Sequence, residues 1–149
     1  NPLTNTWSRR STTSISAGNA IAAVVDPVRK KYFMSVSGST TLRWYDISSP
    51  TAVVPPQSAA TTGCAGFLGD ESTGIEYDPV QDRIVGWNGG NTVYLLNPDT
   101  FSCTTVTTSG GPASTPQGTF GRFRYSPSLN LFVVCNSVDA NCHTLRLTP

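Results

Sequence analysis

The 149 residues carry 10 Lys and Arg against 9 Asp and Glu, for a net charge of +1, which leaves no long-range field to gather nucleic acid or an anionic membrane. Hydrophobic residues make up 38% and charged residues 13% of the chain, enough apolar material for one domain with a real core at about half the usual charge. Ser and Thr supply roughly a quarter of the residues, and with Val, Tyr and Gly they suit pleated strands and tight turns better than helices. No apolar run approaches the roughly 18 residues that a bilayer-spanning helix needs. The chain opens Asn1-Pro2-Leu3-Thr4, without a basic or apolar leader, so a targeting segment is expected to have been removed or to lie upstream.

In chain order, residues 1–16 are the first predicted element. Asn1-Pro2-Leu3-Thr4 has the same phase as Asn97-Pro98-Asp99-Thr100, which leads into an outer strand, and predicts an outer strand here too. Three copies of one pattern follow: a short strand, an Asp-Pro or Ser-Pro turn, an apolar strand, a polar tight turn and a third strand. The first copy runs Ala22-Ala23-Val24-Val25-Asp26-Pro27, then Lys31 to Val36, then Leu42-Arg43-Trp44-Tyr45. A long loop is expected over residues 55–69, followed by the carboxylate pair Asp70-Glu71. The second copy runs Gly74-Ile75-Glu76-Tyr77-Asp78-Pro79, then Arg83 to Trp87, then Thr92 to Leu96, with Asn88-Gly89-Gly90-Asn91 between as a turn that tolerates positive φ. Its outer strand continues Phe101-Ser102-Cys103-Thr104-Thr105-Val106, and a second long loop is expected over residues 108–119. The third copy runs Arg122-Phe123-Arg124-Tyr125-Ser126-Pro127, then Leu131 to Cys135, then His143 to Leu147, and ends at Thr148-Pro149 where its own outer strand is due.

The turn prolines at 27, 79 and 127 are 52 and 48 residues apart, close to the ~50-residue period of kelch repeats. On these residues the chain resembles the kelch-type, galactose-oxidase-like β-propellers, and the stretch from Phe120 to Leu147 is similar to the C-terminal blade of their secreted members. The paired glycine followed by distant Tyr and Trp of strict kelch repeats is lacking. The resemblance implies an all-β propeller segment of three four-stranded blades, a half-propeller. Its expected divisions are 1–16 as an outer strand completing a blade, 17–69 as blade one, 70–119 as blade two and 120–149 as blade three without its own outer strand. Three blades do not close a ring, since propellers run from about four to eight. Two readings stay open: a two-fold dimer or strand-exchanged polymer of this chain, or a C-terminal piece of a longer chain holding the other blades.

If the runs ending at Val134 and beginning at His143 form a hairpin, Cys135 falls opposite Cys142, within disulfide reach. Cys64 and Cys103 remain as a second pair, which favours an oxidising, secreted setting; the alternative is four reduced thiols in a cytosolic protein. No Cys-x-x-Cys occurs and His143 is the one histidine, so no zinc, copper-radical or Ser-His-Asp site is expected from one copy, and no cofactor. Asp70-Glu71 reads as solvated loop charge. Glu76 and Arg124 hold the same inner-strand position as Val24, so adjacent copies should form an ion pair that keeps blades in register. The loops at 37–40, 88–91 and 136–141, with the long loops 55–69 and 108–119, should gather on one face. There Trp87, Asn88, Asn91, Arg122, Asn136 and Asp139 are the candidate ligand-binding residues, with an aromatic platform and amide groups suited to a glycan. The expected function is a secreted, non-catalytic module acting through binding or self-assembly; the competing one is a fragment of a carbohydrate-active enzyme whose catalytic residues lie in missing blades.

Overall fold

The computed structural model describes residues 6, 7, 9, 11, 21–36, 38–70 and 73–148. The strand expected over residues 1–16 falls outside them, apart from residues 6, 7, 9 and 11, which belong to no strand. Three antiparallel sheets follow one another along the chain. The first holds β1 (Ala23–Asp26), β2 (Lys31–Val36), β3 (Ser39–Asp46) and β4 (Gln57–Ala60) in that order. The second holds β5 (Gly74–Asp78), β6 (Arg83–Trp87), β7 (Thr92–Asn97) and β8 (Ser102–Thr107). The third has three strands, β9 (Phe123–Ser126), β10 (Leu131–Val134) and β11 (His143–Leu145). No strand pairing joins one sheet to another among the described residues, and no sheet closes on itself. The predicted strands are therefore present with small shifts at their ends. The expected loop 55–69 is corrected: it contains β4 and the one-turn helix α1 (Ala65–Leu68). A one-turn helix has no periodicity to read, and Gln57-Ser58-Ala59-Ala60 lacks the β-branched residues that mark a strand.

The turns explain why the three copies share one register. Asp26 pairs with Lys31, Asp78 with Arg83 and Ser126 with Leu131, so each inner hairpin has a loop of the same length. Pro27, Pro79 and Pro127 set φ at its first position. Asp26 and Asp78 then each accept two backbone N–H groups with one carboxylate oxygen, from Val28 and Arg29 at 2.9 Å and from Val80 and Gln81 at 2.8 and 3.2 Å. The loop closes through a left-handed residue in every case: Lys30, Asp82 and Asn130, with φ of 50°, 53° and 48°. The turn from Asn97 to Ser102 repeats the design, with Asn97 accepting from Asp99 and Thr100 and Phe101 at φ 56°. Tyr77 donates to Asp82 at 2.6 Å and Tyr125 to Asn130 at 2.8 Å, the same bond in the second and third copies.

Side-chain alternation gives each sheet a front and a back. The inner strand β1 lies against β5, and β5 against β9. The back of the first sheet (Val24, Phe33, Leu42) packs on the front of the second (Ile75, Tyr77, Ile84, Leu96). The back of the second (Val85, Trp87, Val93) packs on the front of the third (Phe123, Phe132, Val134). Phe67 and Leu68 of α1 are fully buried and plug the outer part of the first junction. Phe67 lies so close over Gly86 that a Cβ there would overlap its ring, so this strand glycine serves close approach rather than a turn.

Cys64 is bonded to Cys103 and Cys135 to Cys142, with Cα atoms 5.2 and 4.3 Å apart. The second bridge continues the register of Val134 with His143 by one step. The first ties the segment before α1 to the edge strand β8, where Thr62 also pairs with Ser102. The bridges close segments of 39 and 7 residues; by chain entropy alone their loss costs about 4 and about 2 kcal/mol respectively. Urea unfolding of Cys64→Ser/Cys103→Ser and Cys135→Ser/Cys142→Ser should therefore show the larger loss in the first pair of substitutions, and equal losses would refute this assignment of their weights.

Candidate functional site

Of the loops expected to share a face, those at 88–91, 108–119 and 136–141 are linked in series. Asn91 accepts Thr108 N–H through its carbonyl at 2.7 Å and Gly111 N–H through its side chain at 2.9 Å, so the turn after β6 holds the start of the loop 108–119. Asn136 Nδ2 donates to Ala113 O at 3.1 Å, which ties that loop to the disulfide loop of the third sheet. Asn88 Nδ2 donates to Gly66 O at 2.8 Å and to Asp70 at 3.0 Å, on the opposite side of the second sheet. Asp70 therefore caps this contact; Glu71 lies outside the described residues, as does Ser37 of the loop 37–40.

Trp87 is the main correction. It is 3% exposed, its Nε1 donates to Gly90 O at 2.9 Å, and Phe123 is stacked on it at 6.0 Å. An aromatic at the end of a strand whose back face meets another sheet is a core residue, so no platform for a sugar ring is formed by Trp87. The cleft beside it, flanked by Gly90, Pro112 and His143, has a volume of about 50 Å³, enough for one or two waters.

The larger recess lies around Arg122, the last residue of a 3-10 turn (Phe120–Arg122) at the entrance to β9. Its volume is about 550 Å³, and Arg122, Asn136, Ser137, Val138 and the Cys135–Cys142 bridge wall it. Arg122 Nη1 lies 3.3 Å from Thr115 Oγ1, 3.0 Å from Gly118 O and 3.1 Å from Asn136 O. Three oxygens on one nitrogen hold the guanidinium in place and leave Nε and Nη2 without a partner among the described residues. No carboxylate there pairs with Arg122. Asn136 Oδ1 is buried and meets no donor. Asp139 is exposed on the same loop, and its N–H donates to Ser137 Oγ at 3.2 Å. Of the six candidate residues, the recess thus gathers Arg122 and Asn136, with Asp139 on the same loop outside its wall. Asn91 holds the neighbouring loop, Asn88 serves another contact and Trp87 is core.

Glu76 and Arg124 meet as an ion pair, Nη1 to Oε2 at 3.2 Å, with Arg124 also donating to Gly121 O at 3.0 Å. The Arg124 side chain is 64% exposed, so water screens the pair. A double-mutant cycle with Glu76→Gln and Arg124→Met should give a coupling of at most about 1 kcal/mol; a coupling of 3 kcal/mol would mean that the pair is buried in the functional assembly.

The strongest polar cluster is one that sequence reasoning missed. Arg29, in the β1–β2 turn, reaches the β5–β6 and β7–β8 turns. Its Nη1 and Nη2 meet Asp82 at 2.7 Å each, its Nε and Nη2 meet Asp99 at 2.7 and 2.6 Å, and its Nη1 meets Asp26 at 3.0 Å. All five donors of the guanidinium are used. Asp26 is fully buried and Tyr77 donates to Asp82 as well. Hydrogen bonds from Arg29 hold the Asp82 and Asp99 carboxyls below the usual carboxylate range. Burial, reinforced by its bond to Asp82, raises the Tyr77 hydroxyl. Asp82 and Asp99 stand 53 and 70 residues from Arg29, and nothing local in the sequence connects them. Because both folded-state values lie below the unfolded value near 4, the clamp's contribution is complete above about pH 4 and is lost as pH falls further. The urea midpoint of the native chain should drop between pH 5 and pH 2, and Asp82→Asn/Asp99→Asn should be weaker at pH 5 with a shallower drop; identical pH profiles would dismiss the clamp.

No protein-family model matches the chain, and no curated protein sequence matches it.

Proposed function

We propose that this chain is a secreted, non-catalytic module of kelch-type propeller blades that acts by binding. Three sheets joined front to back through their inner strands, with the same turn geometry in each, support the blade reading. Two disulfides fit an oxidising compartment. Further blades of the same type, in a second copy or in an extension of the chain, complete the ring.

The observation that carries the binding role is the preformed recess at Arg122. A guanidinium fixed through one nitrogen presents its Nε and Nη2 edge as a two-pronged donor, which matches a carboxylate. Ser137 supplies a hydroxyl at the same rim, and Asp139 is exposed on the same loop beside it. The ligand class that fits is a carboxylate-bearing saccharide. With Trp87 buried, affinity for neutral sugars has no stacking term to draw on.

Calorimetric titration with a galacturonic-acid oligosaccharide and with its neutral galactose counterpart tests this. The acidic oligosaccharide should bind and the neutral one should not. Arg122→Gln should abolish the difference, Arg122→Lys should weaken binding about tenfold, and binding should fall with added salt. No binding, or equal binding of both sugars, would overturn the reading.

A further inference from the structure

The first sheet keeps a core-type surface that no other sheet covers. Aligned on the turn prolines, front-face positions in the three copies are Ala23, Ile75 and Phe123; Val25, Tyr77 and Tyr125; and Tyr32, Ile84 and Phe132. In the second and third sheets these positions are packed against the back of the preceding sheet: Ile75, Tyr77, Ile84, Phe123 and Phe132 are 3%, 6%, 0%, 2% and 1% exposed. In the first sheet the residues remain apolar, yet Val25 is 47% and Tyr32 36% exposed, while Ala23 is half-buried and Met34, paired with it, is 9% exposed. Val25 pairs with Tyr32 and Tyr32 with Tyr45, so the three form one row across β1, β2 and β3. At the other end, the back of the third sheet presents Leu131 and Val133 on β10, flanked by Arg124 and Thr144 through the pairings of Val133. Among the described residues no sheet covers the front at one end of the stack or the back at the other, the two halves of the junction that it builds twice internally.

We infer that the front of the first sheet docks on the back of the third sheet of a second copy, and that two copies close head to tail around a two-fold axis. The inference rests on the blade reading and names the partner that completes it. Area decides between one junction and two. Four strands in the first sheet and three in the third, spaced about 4.8 Å apart with about five residues of about 3.3 Å each, make faces of roughly 300 and roughly 240 Å² in projection. A single junction joins the two faces, roughly 550 Å², which is the size of a packing contact; a two-fold pair makes two junctions, roughly 1,100 Å², at the threshold of a stable interface. Closure is therefore the arrangement in which these faces hold. The two junctions are identical by symmetry, so removing either face removes both.

Native mass spectrometry and light scattering of the intact, oxidised chain test this. The native chain should have twice the 15.8 kDa of one copy. Val25→Glu and Val133→Glu, at opposite ends of the stack, should each give a monomer, with the circular dichroism spectrum and both disulfides kept. Val80→Glu, in the turn of the middle sheet and 51% exposed, should leave the dimer intact. A native chain that stays monomeric at 100 µM, or a dimer that survives both end-face substitutions, overturns the inference. If the acidic saccharide still binds to that monomer, the recess reading stands while the docking fails; if dimerisation is seen without saccharide binding, the reverse holds.

Discussion

A sheet that is apolar on both faces must be covered twice, and this requirement organises the whole chain. The second sheet meets it inside the described residues: Ile84 and Leu96 on its front and Val85 and Val93 on its back are all at or below 1% exposure. The connectors follow from the same need. The residues between the first two sheets form α1, which drives Phe67 into the gap above Gly86, and those between the second and third hold Arg122 through Thr115 and Gly118. Loops that run from the outer strand of one sheet to the inner strand of the next must cross the junction at its rim. At the first junction they plug the core with Phe67 and Leu68, and at the second they fix Arg122 at the entrance to β9.

The two polar links between copies show how environment sets the worth of a charge. Arg124 and Glu76 join neighbouring inner strands at 3.2 Å, but water reaches the arginine. Arg29 has a side chain only 14% exposed and meets three carboxylates, of which Asp26 is wholly buried. A buried carboxylate without a partner is costly, and Asp26 is supplied with two backbone N–H groups and the guanidinium. The clamp also closes around aromatic packing. Lys31 lies over the Trp44 ring at 5.1 Å, and Trp44 stacks on Phe101 at 5.1 Å, which places the β7–β8 turn against the back of the first sheet.

Strand order and copy number were legible in the sequence because the turns are local. Asp-Pro and Ser-Pro at fixed distances from apolar runs state where a hairpin begins and ends, and Cys135 with Cys142 follows from the same hairpin. The ion pair of Glu76 with Arg124 was legible because a repeat carries equivalent positions to adjacent places. Side-chain surroundings at a junction were not. Trp87 has the composition of a sugar platform, and only the third sheet's Phe123 makes it core. The residues gathered by Arg29 come from three turns whose sequences differ, so no alignment of copies reveals them. β4 was hidden by its composition, since an edge strand with one face in water needs few β-branched residues.

The equal loop lengths of the inner hairpins have a bearing on how such a chain tolerates change over generations. Their left-handed position is filled by Lys30, Asp82 and Asn130, a cation, an anion and an amide, so side-chain identity there has been free to drift. Length is another matter. Deleting one codon from the 79–82 turn would advance β6 by one residue against β5 and exchange the destinations of Ile84 and Val85. Every apolar residue of that strand would then face the wrong neighbour, at both junctions at once. Copies of this unit can therefore diverge widely by substitution while insertions and deletions are confined to the connectors, which accounts for a proline spacing that varies between copies although the hairpins do not.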